Sequence, residues 1–192
     1  MASGQAFSED SPVSGTYQNG HVSNFHIPLV FHHPLLPRMQ VTANTTSLSL
    51  LPTLLDLLVQ TRSLNDKDSD IASDLMNGYE GQSLIRPYKA THKGRQAWNF
   101  GLINPGGEIL SVGSAAVPYR LILPMTDDFE YKFINPETDP EEQSTLAEWE
   151  AEMLAEHVRG VHGDLAAKWV GEAVQVGRWW VGERKRLWNH HE

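Results

Sequence analysis

Nine histidines carry most of the chemical potential of this sequence. His21 closes Asn19-Gly20-His21, a polar loop that leads toward the apolar run Ile27-Pro28-Leu29-Val30-Phe31. In α/β sheets, ligands and catalytic groups collect on loops that flank parallel strands. By position alone, a solvated loop histidine is the plainer reading of His21. His32 and His33 follow the run; neighbours on a strand point to opposite faces, so one at most could face a site. His157 and His162 flank a glycine-marked break between helical patterns and read as packing or capping residues. His190 and His191 end the chain. The acidic residues from Glu137 to Glu156 lack the spacing of a calcium loop and read as a solvated helix face. Trp169, Trp179, Trp180 and Trp188 fall at helical spacing and read as core. The sequence holds no cysteine, which excludes a cysteine nucleophile and a thiolate zinc site. It has no phosphate loop, no Gly-x-Ser-x-Gly elbow and no dinucleotide fingerprint.

The elements that must position these groups are bounded by composition. The chain has 192 residues, 40% of them hydrophobic, enough for one domain or one large domain with an annex. A formal charge of −9 argues against a nucleic-acid partner, whose electrostatic footprint calls for a basic face. No apolar run approaches the ~20 residues that span a bilayer. Met1 to Asp10 is polar and has no signal-peptide core.

Along the chain, residues 1–25 read as a polar loop. Ile27 to Phe31 fits a strand buried on both faces, of the parallel-sheet kind. Leu51, Leu54, Leu55 and Leu58 lie at i, i+3, i+4 and i+7, predicting a helix over Pro52–Gln60 with those leucines on one face. A short helix is expected over Asp70–Met76. Four strands follow, at Ala97–Ile103, Glu108–Val112, Tyr119–Leu123 and Phe129–Ile134, the first two joined by Asn104-Pro105-Gly106-Gly107. Asp139-Pro140-Glu141-Glu142 has the form of a capping box. It predicts a helix with Leu146, Trp149, Met153 and His157 on one stripe. Asp164 opens a second helix, with Leu165, Trp169, Val176, Trp180 and Leu187 inward.

Two stretches, taken in order, resemble a known family. One is Gly15-Thr16-Tyr17-Gln18-Asn19-Gly20-His21-Val22-Ser23-Asn24-Phe25-His26-Ile27-Pro28-Leu29-Val30-Phe31. The other is Ser49-Leu50-Leu51-Pro52-Thr53-Leu54-Leu55-Asp56-Leu57-Leu58, followed by Gly81-Gln82-Ser83-Leu84. Together they are similar to the C-terminal part of sulfatase-like enzymes of the alkaline phosphatase superfamily. Those enzymes run from a metal-binding loop into a strand, a Pro-Thr-Leu-Leu-Asp helix and a Gly-x-Ser-Leu turn, then a small antiparallel sheet and a terminal helix. The Tyr-x-Asn-Gly-His loop and the Trp-rich tail resemble fungal sulfatase-domain proteins, themselves related to phosphoethanolamine and glycerophosphate transferases.

The resemblance covers most of the chain. It implies a metal-dependent hydrolase or transferase of sulfate or phosphate esters, with zinc, calcium or manganese in the complete enzyme. It places His21 in the metal site or against the transferred group, with Tyr17 and Asn19 shaping that site. Two departures stand out. Ala2 and Ser3 occupy the places of the family's metal-binding Asp and His, and no nucleophile motif is present.

The expectation is therefore an α+β chain, the C-terminal fragment of an α/β/α alkaline-phosphatase-like fold. Residues 1–25 would end the metal-site region. Residues 26–90 would supply an edge strand and the Leu-rich helix of an incomplete domain. Residues 91–192 would form a four-stranded antiparallel sheet packed by two helices on one face. Such a chain is expected to be silent by itself and to hold no metal tightly. Its expected partner is the missing catalytic half or a second copy. The second reading is a non-catalytic binding or oligomerisation module. Relatives are often membrane-anchored, and localisation is left open.

Overall fold

The computed structural model describes residues 20–22, 27–92, 95–104 and 106–187. The chain is α+β. After a 3-10 turn at Ser47–Ser49 come α1 (Leu50–Gln60) and α2 (Asp66–Gly78). A two-residue hairpin, β1 (Thr91–His92) and β2 (Arg95–Gln96), leads into β3 (Trp98–Leu102), β4 (Ile109–Ser114), β5 (Arg120–Pro124), β6 (Tyr131–Ile134) and β7 (Leu146–Glu148). The chain then continues through α3 (Ala151–His162) and α4 (Asp164–Leu187). Strands β3 to β7 form a five-stranded antiparallel meander in sequence order.

The sheet's alternation sorts its residues onto two faces. Leu110, Val112, Leu121, Leu123, Tyr131 and Phe133 point toward α3 and α4 and form the main core with Leu154, Val158, Trp169 and Val170. Ile109, Ile122 and Ile134 point the other way and cluster with Ile103. Aromatic rings close the helical side. Trp169 meets Trp98 at 5.9 Å, Tyr119 at 5.5 Å and Phe133 at 6.3 Å, while Phe100 stacks on Trp180 at 4.9 Å. The expectation of packed tryptophans holds for Trp169 and Trp180. Trp179 is exposed, and Trp188 lies outside the described residues.

Four expectations are corrected. Residues Ile27 to Phe31 form no strand; Val30 is 84% exposed, and no described strand pairs with this stretch. The segment therefore makes no parallel sheet in this chain. The helix expected from Asp139 is a loop followed by β7. The Asp139 carboxylate accepts the backbone N–H groups of Gln143 and Ser144, at 2.9 and 2.7 Å, and Glu142 takes a left-handed conformation with φ 54°. That turns the chain so that Leu146–Glu148 can pair with Tyr131–Phe133. The free edge of β6 thus overrides a local capping signal. The helix begins only at Ala151, where Leu154 and Val158 are buried and Trp149 and Met153 are exposed.

The inward stripe of α4 also differs. Leu165 is 82% exposed and Leu187 is exposed, whereas Ala166, Ala167, Trp169, Val170, Ala173, Val174 and Gly177 are buried. Small residues let the helix axis approach the sheet closely. A β-carbon at Gly177 would stand 2.5 Å from Leu123 Cδ2 and 3.1 Å from Val112 Cγ2. The last correction is the strand count, since β7 adds a fifth strand to the four expected. On α1, Leu51 and Leu54 are each 46% exposed and Leu58 is exposed too; the buried residues are Pro52, Thr53 and Asp56.

Gly177→Ala is expected to destabilise the chain by about 1–2 kcal/mol, since overpacking a full core outweighs the helix-propensity gain. Gly171→Ala, on the same helix with nothing within 4 Å of the added carbon, should stabilise by about 0.5–1 kcal/mol. Urea unfolding of both variants checks the opposite signs.

Candidate functional site

His21 lies on the side of the sheet away from α3 and α4. Gly20 packs there, since a β-carbon on it would come within 3.2 Å of Ile122 Cδ1 and 3.4 Å of Ile103 Cδ1. The His21 ring nitrogen Nε2 approaches the Glu141 carbonyl oxygen at 3.4 Å. The Val22 backbone N–H donates to the Glu142 carboxylate, and the imidazole lies within electrostatic reach of that carboxylate. Tyr17 and Asn19, the other two expected site residues, lie outside the described residues, as do His26, His190 and His191.

Glu142 is the residue that sequence reasoning missed. Its side chain is 6% exposed and ion-pairs with Arg120, the first residue of β5, itself almost fully buried. Burial pushes the Glu142 carboxyl above the usual glutamate range, against the pull of Arg120, His21 and the Val22 N–H. Burial also draws the Arg120 guanidinium below its ordinary value, against the attraction of Glu142. Nothing in Asp139-Pro140-Glu141-Glu142 announced this pair, because the local pattern points to a helix start.

The two pieces of the second stretch, Pro52–Asp56 and Gly81–Leu84, meet. Asp56, with no exposed surface, accepts hydrogen bonds from Arg86 Nε at 2.7 Å and Nη2 at 2.6 Å, from Ser83 Oγ at 2.6 Å and from Gln60 Nε2 at 3.3 Å. Thr53 Oγ1 donates to the Ser49 carbonyl at 2.6 Å and accepts the Leu84 N–H at 2.9 Å. Gly81 fits because its missing side chain admits the Leu48 carbonyl, which would stand 2.1 Å from a β-carbon. Burial alone would raise the Asp56 carboxyl; the hydrogen bonds from Arg86, Ser83 and Gln60, with the Arg86 charge, outweigh this and hold it below the usual aspartate value. The network joins α1 to the Gly81–Arg86 segment.

The remaining histidines lie elsewhere. His32 is exposed, and His33 Nδ1 accepts the Leu35 N–H at 3.2 Å. His157 bonds Glu148 at 3.0 Å, tying α3 to β7, and His162 packs on Phe133 at 5.1 Å. An open groove of about 550 Å³ runs between α4 and the β5–β6 turn, lined by Asp127, Glu150, Arg178 and Lys185. Arg178 is already engaged there, donating to the Tyr131 hydroxyl at 2.6 Å.

Among the described residues no group of three or more His, Asp or Glu side chains converges, and the carboxylate beside His21 is held by Arg120. No described helix is long and apolar enough to cross a membrane. The chain matches no family model, no curated protein and no solved structure.

Arg86→Ala should cost about 3 kcal/mol, because it strands a buried carboxylate. Asp56→Asn should cost only about 1–2 kcal/mol, since Arg86 is 57% exposed and can turn to water. The pH dependence follows from the depressed carboxyl. As pH falls below the ordinary aspartate value of 3.8, the unfolded chain takes up the proton first, and the stability that Asp56 contributes is lost. Urea midpoints from about pH 5 to pH 2 should therefore fall less steeply in Asp56→Asn than in the parent.

Proposed function

We propose that this chain is the C-terminal portion of a sulfatase-like hydrolase or transferase acting on sulfate or phosphate esters. On this reading the fold is the matching fragment of an alkaline-phosphatase-like enzyme. The observation that carries it is the orientation of α1. The helix buries its polar motif side, Thr53 and Asp56, against Ser83, Leu84 and Arg86, and turns Leu51, Leu54 and Leu58 to solvent. Ile71 and Leu75 of the neighbouring α2 are exposed as well. Exposed apolar surface grouped on adjoining elements marks an interaction face. A helix anchored by its polar side and apolar outside is an interface helix, and the body that would cover it is the catalytic half. That half would be continuous with this chain or supplied as a separate one.

The ester-cleaving step belongs to residues that this chain does not contain. What it contributes is His21, presented on the sheet as a contact for the metal or the anionic group; Tyr17 and Asn19 keep their proposed role in shaping that site. The purified chain should show no turnover of an aryl sulfate or aryl phosphate with zinc, calcium or manganese. The native species, isolated with an antibody against the C-terminal helix, should hydrolyse one of the two and lose that activity in His21→Ala. Turnover by the purified chain, lost in His21→Ala, would overturn the need for a second half. A native species inert toward both esters would overturn the enzyme reading.

The same exposed leucines favour the second reading, a non-catalytic module that pairs with another chain. Either way, Leu54→Ser/Leu58→Ser should reduce apolar-dye binding and self-association in light scattering while leaving the melting temperature within a few degrees. A parent chain that is monomeric and binds no dye would rule out a docking face.

A further inference from the structure

We infer that the Arg120–Glu142 ion pair is a positioning device that holds the His21 segment on the sheet. The inference rests on the reading of His21 as the site residue, and it adds the two residues that fix where that imidazole stands.

Two unfavourable features coincide at Glu142. Its carboxylate is taken out of water, and its backbone sits at φ 54°, a region that crowds any residue with a β-carbon. Such outliers persist only where the surroundings over-determine them. Three groups do so here. Asp139 ties down the following N–H groups of Gln143 and Ser144. Thr145 Oγ1 donates to the Glu142 carbonyl at 3.3 Å. Arg120, fixed at the start of β5 by pairing with Gly113 and Ile134, holds the carboxylate.

Among the described residues, this arrangement also touches the segment Gly20–Val22. The Val22 N–H enters the same carboxylate, the His21 ring meets the adjacent Glu141 carbonyl, and Gly20 lies flat on Ile122 and Ile103. The left-handed turn is what brings the Glu141 carbonyl and the Glu142 carboxylate to the same short stretch. A pair serving only the sheet would need neither contact. The pair thus couples β5 and the β6–β7 loop to the orientation of one imidazole.

The test uses the whole chain by NMR, with no metal or anion added. In the parent, the Val22 amide should exchange at least about tenfold more slowly than an unstructured amide. In Glu142→Ala its exchange should return to within about twofold of the unstructured rate, and the His21 ring signals should move toward free-histidine positions. Glu142→Gln keeps an acceptor for the Val22 N–H but gives up the ion pair with Arg120, so it should restore both only in part; full restoration would overturn the role of the ion pair. Val158→Ala, a core change on α3, should lower stability without moving the His21 signals. An unprotected Val22 amide in the parent overturns the inference without any variant. So do His21 signals that are unchanged in Glu142→Ala, or that move equally in Val158→Ala. The site reading is tested separately, by ester hydrolysis in the native species and its loss in His21→Ala; an unchanged rate in His21→Ala would remove that reading and leave the positioning result standing.

Discussion

A carboxylate with no exposed surface, that of Asp56, governs how α1, α2 and the Gly81–Arg86 segment come together. Asp56 cannot be buried charged without partners, and its partners Ser83 and Arg86 lie 27 and 30 residues away in the chain. Meeting that demand folds α2 back beside α1 and brings the Gly81–Arg86 segment under the helix. It also decides which way α1 faces. Four leucines on one stripe would ordinarily turn inward. Here the cost of leaving Asp56 and Thr53 unsatisfied fixes the polar side inward, and the leucine stripe is left facing out.

The C-terminal half follows the more familiar rule. Antiparallel strands alternate their side chains, so each strand feeds two layers. The layer containing Phe133, Leu121 and Leu123 receives α3 and α4, and α4 comes close because Ala166, Ala173 and Gly177 present almost no side chain. The other layer, of isoleucines, is where Gly20 and His21 lie. The two halves are sewn together by polar contacts. Asn44 donates to the Ser114 carbonyl at 3.1 Å, Asn99 donates to the Asn44 carbonyl at 3.0 Å, and Arg184 pairs with Glu80 at 3.0 Å. Contacts of this kind fix register but stabilise modestly, since exposed ion pairs contribute only about 0–1 kcal/mol each.

Two ion pairs with buried carboxylates stand out among the described residues, and they differ in kind. Asp56–Arg86 has one partner in water and three side chains serving the carboxylate, so the charge on Asp56 is favoured. Arg120–Glu142 has both partners withdrawn from water, and burial disfavours the charge on each. Pairs of the second kind are poor sources of stability, which directs attention to what they position.

The sequence by itself determined the α+β class, the positions of the central strands and the existence of all four helices. These rest on short-range patterns: period-two alternation, period-3.6 spacing, and the Asn104 to Gly107 turn. It also singled out His21, with Tyr17 and Asn19, while Asp56 and Ser83 figured only within the motifs of the family resemblance. Only the tertiary structure decided which faces turn inward. Leu165 and Leu54 carry the right spacing for burial, yet they are exposed because Ala166 and Asp56 have partners across the fold that they lack. It likewise turned Asp139–Glu142 from a helix start into a loop, since β6 had an open edge to fill. The Arg120–Glu142 pair was illegible for the same reason. Its members are 22 residues apart, and a long-range pair is set by the closing of the whole sheet, which no local spacing encodes.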